Sequence, residues 1–353
     1  MDAKRPIDAA TPLLDWYDRH RRDLPWRAAP GERPDPYRVW LSEVMLQQTT
    51  VATVRPRFTD WIARWPTFAD LAAADEAAVM AAWAGLGYYA RARNLLAAAR
   101  VIAAEHGGRL PDSEAALRAL PGFGDYTAAA VAAIAFGRRA VVVDANVERV
   151  VTRLFALEEA LPGSRPAIRA LTDTITPEYR AGDFAQALMD MGATVCTTRA
   201  PRCLLCPIAA DCAARALGEP ERFPVKAPKK ARPTRKGRAF WIERDERVWL
   251  VRRAGKGLLG GMRALPDDGW SARADGHGEP PVAGRWDSAG RVGHVFTHFA
   301  LELGLSVHLG EFRGDPSVDL PGEGEWWPID RLDEAGLPTL FAKAAALALA
   351  EPA

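Results

Sequence analysis

The chain has 353 residues, 48% of them hydrophobic, which is long for one domain and enough to bury more than one core. Its 46 basic and 45 acidic residues leave a net charge of +1, which excludes a uniformly basic nucleic-acid coat; any DNA contact must use a local patch and directed backbone amides. Met1–Trp16 lacks the uninterrupted apolar core of a signal peptide, and no apolar run approaches the roughly 18 residues that span a bilayer, so a soluble intracellular protein is expected.

From Thr11 to about Leu217, apolar residues recur at three and four positions between breaks such as Trp65-Pro66, Gly107-Gly108 and Leu161-Pro162-Gly163, which predicts an all-α half. In VWLSEVMLQQTT, Glu43 lies among Val39, Trp40, Leu41, Val44, Met45 and Leu46. A carboxyl pressed against such groups keeps its proton near neutral pH; the alternative is a glutamate on the wet face of an amphipathic helix. In Gly85-Leu86-Gly87-Tyr88-Tyr89 the glycines allow a protruding turn and Tyr88 offers a flat face for stacking on bases, with Arg91, Arg93 and Asn94 as a DNA-facing rim. Core packing is the other reading of Tyr88.

Pro121, Gly122 and Gly124 form a tight turn that opens a helix expected over Thr127–Phe136, a layout in which backbone N–H groups and the helix N-terminus grip a phosphate without reading base sequence. Asp144 follows Val141-Val142-Val143 and precedes Asn146, so its carboxylate emerges at the end of a buried segment near a helix start, where a plain N-cap is the simplest role.

All four cysteines, Cys196, Cys203, Cys206 and Cys212, fall in one C-x6-C-x2-C-x5-C segment and act as one site or none. Soft sulfur ligation allows structural zinc or a [4Fe–4S] cluster, and thiols without metal are the remaining reading. Arg199 and Arg202 lie inside this loop, within reach of phosphates. Between Arg222 and Arg238 eight Lys or Arg residues occur with three prolines and no acid, which predicts an extended basic linker over 222–237. Beyond it, β-like runs at Arg238–Glu243, Val248–Arg252, Val295–Val307 and Glu325–Ile329, and a helix over Leu340–Ala350, predict an α+β domain over 238–353.

These motifs resemble the endonuclease III superfamily of DNA glycosylases, and WLSEVMLQQT, LPGxGxYTA, VDxNVxRV and the cysteine quartet resemble, in family order, the adenine DNA glycosylase family. The resemblance implies an all-α helix-hairpin-helix glycosylase domain over 1–221 with an iron–sulfur cluster loop. Within it a six-helix barrel spans about 30–140, and the cluster subdomain takes 1–29 plus 141–221. It also implies a [4Fe–4S] cluster on the four cysteines and a monovalent cation at the hairpin, whose Gly122 and Gly124 hold the DNA backbone. Glu43 is then the proton donor to adenine, Asp144 stabilises the sugar cation, and Tyr126 and Asn146 position the reacting groups. Superfamily members that also cut the strand carry lysine where this chain has Tyr126, so a monofunctional glycosylase is expected. Arg22, Arg27, Gln48, Thr49, Leu86, Tyr88 and Gln186 match positions that contact the extruded base or fill its gap, although AAPGERP after Arg27 is longer than the common pattern.

GKGLLGGMRALP, Gly255 to Pro266, resembles a Nudix-type strand and loop, but no glutamate-rich magnesium helix follows, so a binding domain rather than a nucleotide hydrolase is expected. Thr297 and His298 match the segment that contacts 8-oxoguanine, with threonine in place of the commoner serine, and Arg263-Ala264-Leu265 departs from the usual tryptophan-glutamate-phenylalanine. The expected partner is duplex DNA with an 8-oxoguanine:adenine or guanine:adenine mispair. The expected setting is a monomer in the bacterial cytoplasm, associated with the nucleoid and not with membrane. A glycosylase-lyase and a non-catalytic damage-binding module are the rival readings.

Overall fold

The structure, a computed structural model of the chain, describes residues 7–228, 231–254, 258–314, 319–320 and 322–350. Met1–Pro6, Lys229 and Lys230 of the expected linker, and the first three residues of the Gly255–Pro266 motif lie outside them. Two compact units are present: residues 1–74 with 94–229, and residues 75–93 with 230–353.

The first unit is helical: α1 (Ala10–His20), α2 (Pro36–Leu46), α3 (Val51–Arg64), α4 (Phe68–Ala72), most of α6 (Ala90–Glu105), α7 (Glu114–Arg118), α8 (Asp125–Phe136), α9 (Ala145–Leu154), α10 (Arg165–Ile175), α11 (Ala181–Thr194) and α12 (Ala213–Ala216). Side chains set the starts. Asp35 caps α2 by accepting from Tyr37 N–H at 2.9 Å, with Pro36 as first helical residue, and Thr67 and Asp70 form a reciprocal capping box on α4. The helix after the glycine turn begins at Asp125, two residues earlier than the sequence pattern suggests.

α8 is the central element. Thr127 to Ile134 are all buried, and its alanines let α2, α7 and α11 approach closely. At the α11 crossing a Cβ on Gly182 would lie 2.3 Å from the Ala133 carbonyl oxygen, a contact only glycine permits. Trp40 of α2 stacks on Phe123, with 6.0 Å between centroids and 6° between planes, so α2 is anchored beside the turn that opens α8.

The second unit contains two sheets. In one, β6 (Ala300–His308) lies between β1 (Thr234–Trp241), to which it is parallel, and β5 (Trp286–Val295), to which it is antiparallel. In the other, β3 (Arg247–Arg252) pairs antiparallel with β2 (Glu243–Arg244), β4 (Arg263–Ala264) and β7 (Gly324–Pro328). The helix α13 (Thr339–Leu349) packs on the first sheet, burying Leu301, Leu303, Leu305 and Phe341 in a common core. Residues 267–285 form no helix.

Two sequence readings change. Val295–Val307 is not one strand but the end of β5, an exposed turn and β6, because Phe296 and Phe299 make the turn look apolar while they stack on each other at 4.7 Å. Thr234–Gly237, read as linker, belong to β1: they pair with Ala300–Leu303 from a sheet edge, where charged side chains are tolerated. Asp75–Arg93, which carries α5 (Glu76–Ala82), lies in the second unit by its contacts. Within that unit the Tyr88 hydroxyl lies 3.4 Å from Thr297 Oγ1, and the Arg93 guanidinium donates to the Gly260 carbonyl. Among the described residues no helix is long and apolar enough to cross a membrane.

Candidate active site

An open cleft of ≈ 2120 Å³ in the helical unit is lined by Glu43, Tyr126, Asp144 and Asn146 together with Arg22, Arg27, Gln48, Thr49 and Gln186. Glu43 sits mid-helix in α2, 6% exposed, so the wet-face reading does not hold. Its carboxyl accepts a hydrogen bond of 2.5 Å from the Tyr126 hydroxyl on α8. Burial pushes the Glu43 carboxyl up to about 7, and Asp144 adds to this, while the Tyr126 hydrogen bond and the Arg27 charge pull it down. The group is thus divided between its protonated and ionised forms at neutral pH. The same burial, with two carboxylates nearby, holds the Tyr126 phenol well above its ordinary value, so it stays a donor.

Asp144 is held differently. It is the N-cap of α9, accepting from Val147 N–H at 2.7 Å and from Asn146 Nδ2 at 2.8 Å. The N-cap reading is therefore met, and the capping residue also lines the cleft. Asn146 Oδ1 accepts from Arg149 at 2.9 Å, and Arg149 reaches the carbonyls of Gly192 at 2.6 Å and Cys196 at 2.8 Å, which ties the aspartate segment to the end of α11.

At the hairpin, Gly122 has φ +73, and a Cβ there would lie 2.7 Å from Asn94 Cβ, so both conformation and space require glycine. Gly124 is the N-cap of α8 in extended conformation, with nothing within 4 Å of where a Cβ would lie. Gln48 is exposed with a left-handed backbone, φ 56, and Thr49 is half-buried. Their neighbour Gln47 turns inward instead, donating to Thr127 Oγ1 at 3.1 Å. Gln186 lines the cleft, its Nε2 3.4 Å from the Gly182 carbonyl.

All four cysteines line one small cavity, beside Arg153 and Arg202. The Arg153 guanidinium, buried, donates to Cys196 Sγ at 3.3 Å and to the carbonyls of Thr197 at 2.7 Å and Thr198 at 3.1 Å, so it organises the loop that presents the first thiol. Burial pushes the Cys206 thiol up to about 12 and raises Cys212. Among the described residues no three His, Cys, Asp or Glu side chains form a set that could hold a single metal ion. Arg199 and Arg202 are exposed.

In the second unit Tyr88 is 51% exposed on a left-handed backbone, φ 48, which rules out core packing. Leu86 is buried, 4% exposed, so its side chain does not protrude as a wedge. Arg91 is drawn inward: it donates to the carbonyls of Leu86 at 3.0 Å and Gly87 at 3.3 Å and lies over the rings of Trp83 and Tyr88, supporting the turn rather than forming a rim. Thr297 and His298 are exposed in the turn between β5 and β6, not in a strand. Arg263 pairs with Glu325 at 2.7 Å and lies over Trp327, a structural use of that departure from the family pattern.

Residues the sequence reading passed over include Trp26, which lines the cleft, and Asp190, a buried carboxylate bonded to both Arg22 and Arg27. Neither has a local sequence signal; the partners of Asp190 lie 163 and 168 positions away.

Residues 41–176 match the model of the HhH-GPD superfamily base excision DNA repair protein, and residues 238–347 match that of the NUDIX domain. The chain is 46% identical over 208 residues to an adenine DNA glycosylase of Mycolicibacterium smegmatis, covering 59% of this chain and 70% of that protein. It is 47% identical over 219 residues to the human adenine DNA glycosylase, covering 60% of this chain but only 40% of the length of that relative. A solved thermostable thymine-DNA glycosylase superposes with TM-score 0.53 at 33% identity, over 59% of this chain and 94% of that one. The chain belongs to the adenine DNA glycosylase family of the HhH-GPD superfamily.

Proposed function

We propose that this protein hydrolyses the N-glycosidic bond of adenine mispaired with 8-oxoguanine or guanine in duplex DNA, leaving an abasic site without cutting the strand. The observation that carries this reading is the burial of Glu43 in the wall of a cleft that it shares with Asp144, which favours a proton on the first carboxyl while the second accepts bonds from Val147 N–H and Asn146.

In the proposed reaction protonated Glu43 donates to N7 of the extruded adenine, and the bond between C1′ and N9 breaks with its electron pair leaving on the base. Asp144, fixed by Asn146 and by Val147 N–H, stabilises the oxocarbenium-like sugar. Water then adds to C1′ and passes its proton to the carboxylate. Gln186, Arg22 and Arg27 line the pocket for the base, and the Gly122–Gly124 turn with the first N–H groups of α8 would hold a phosphate, with a monovalent cation beside it. Tyr126 offers no amine for a Schiff base, which supports hydrolysis over lyase chemistry.

Cys196, Cys203, Cys206 and Cys212 would hold a [4Fe–4S] cluster; their soft donors, family spacing and common cavity fit that group. When bound, the cluster would cross-link the loop after α11 and supply no step of the hydrolysis. Exposed Thr297, His298 and Tyr88 suit recognition of the base opposite adenine. The partner is duplex DNA bound by a monomer in the cytoplasm, where the nucleoid lies.

The test is adenine release from duplexes that differ only in the base opposite adenine. Release opposite 8-oxoguanine and guanine but not thymine is expected, with no borohydride-trapped protein–DNA adduct. Absence of release from every duplex overturns the reading, and stoichiometric trapping overturns its monofunctional part.

A further inference from the structure

The carboxylate of Asp190 has no role in the reaction above, yet it is the most heavily bonded acid near the cleft. Its side chain on α11 is fully buried, and each oxygen receives two donors. Oδ1 accepts from Arg22 Nε at 2.6 Å and Arg27 Nη2 at 2.8 Å; Oδ2 accepts from Arg22 N–H at 3.0 Å and Arg27 Nη1 at 2.6 Å. A two-pronged Arg27–carboxylate fork fixes the guanidinium plane as well as its charge. Burial pushes the Asp190 carboxyl up, but the Arg27 hydrogen bond and the charges of Arg27 and Arg22 outweigh it and hold the group ionised.

Arg22 and Arg27 line the same cleft as Glu43. The charged and titratable groups that act on Glu43 are Tyr126 of α8, Asp144 at the start of α9, and Arg27 from the segment before α2. Arg27 in turn faces Asp190 and Tyr17 of α1. Its positive charge favours the ionised, unreactive form of Glu43. A buried guanidinium with no counter-charge would exert that pull far more strongly than one already paired.

We infer that Asp190 is a positioning residue for base release: it clamps Arg22 and Arg27 on the cleft wall and neutralises Arg27, so that Glu43 keeps its proton at neutral pH. This rests on the assignment of Glu43 as proton donor. Loss of a buried carboxylate would cost activity for structural reasons too, so the decisive readout is the position of the alkaline limb of the pH–rate profile, not the rate itself.

Single-turnover adenine release from an 8-oxoguanine:adenine duplex is measured from pH 5 to 9 for the wild type, Asp190→Asn, Asp190→Glu and Arg27→Met. Asp190→Asn is expected to move the limb down by about one pH unit, a loss of about tenfold at pH 8 in excess of that at pH 5.5. Arg27→Met is expected to move it up, and Asp190→Glu to restore it. A loss in Asp190→Asn that is equal at every pH makes Asp190 scaffolding only and overturns the inference while leaving the parent reading intact. Should Asp190→Asn fail to fold, Arg27→Met decides, since an unmoved or lowered limb overturns the inference. A wild type that releases no adenine at any pH overturns the parent reading instead, and this inference with it.

Discussion

Glu43 lies in the middle of α2, 6% exposed among apolar side chains, with one phenol hydrogen bond and a carboxyl pushed up to about 7; Asp144 lies at the first turn of α9, half-buried, with two N–H donors on its oxygens. The two acids line the same cleft and differ by one methylene, so their environments set their chemistry. A mid-helix position in a core offers a carboxylate no free backbone N–H, whereas a helix start supplies several together with the positive end of the helix dipole. One group is thereby suited to giving a proton and the other to facing a cation, a division that two exposed carboxylates would not show.

The largest effects test whether both acids react. Glu43→Gln removes the transferable proton while keeping shape, and single-turnover adenine release should fall about 10³-fold, with duplex affinity within a few-fold of wild type. Asp144→Asn is the sharper case, because asparagine caps helices about as well as aspartate, so the substitution removes charge and spares the cap. A loss of similar size is expected. Retention of more than about a tenth of the rate would reduce Asp144 to a helix cap and end the comparison.

Stability provides a second test of the contrast. The Glu43 carboxyl is raised on folding from 4.5 to about 7, so the folded state holds a proton that the unfolded chain has released in that interval. Its contribution is fully favourable below pH 4.5 and is lost as pH rises to 7 and beyond. Glu43→Gln carries no such loss, and denaturant unfolding at pH 8 should find it more stable than the wild type by about 3 kcal/mol relative to the difference at pH 4. No growth of that difference with pH would mean that Glu43 is not desolvated as described. For the same reason wild-type release should decline about tenfold per pH unit above pH 7. Tyr126→Phe, which deletes the donor that favours ionised Glu43, should move that decline to higher pH and cost a few-fold at its plateau.

What the sequence carries and what it hides follow from distance along the chain. The surroundings of Glu43 are legible because Val39, Trp40, Val44 and Met45 lie within one helical turn of it, and all are buried. The cap at Asp144 is legible for the same reason. The fork on Asp190 is not, since both its partners come from a segment more than 160 residues earlier. The burial of Leu86 and the inward turn of Arg91 are not legible, because a glycine-rich turn signals protrusion without saying which side chain points out. At β1 charged edge residues imitate a linker, and at Phe296–Phe299 a stacked aromatic turn imitates a strand.

The smallest expected effect concerns which base stands opposite adenine. Thr297 is exposed, and its hydroxyl lies 3.4 Å from that of Tyr88, so the turn presents two adjacent hydroxyls and the Tyr88 ring together. A neutral hydrogen bond contributes about 1 kcal/mol, or roughly fivefold in an equilibrium constant. Thr297→Ala should therefore lower the preference for 8-oxoguanine over guanine by about fivefold in binding to duplexes carrying an uncleavable adenine analogue. Release opposite guanine should be unchanged, because the carboxylate pair is untouched. An equal loss opposite both bases would assign the turn a general hold on DNA, and selection of the opposite base would then need another source.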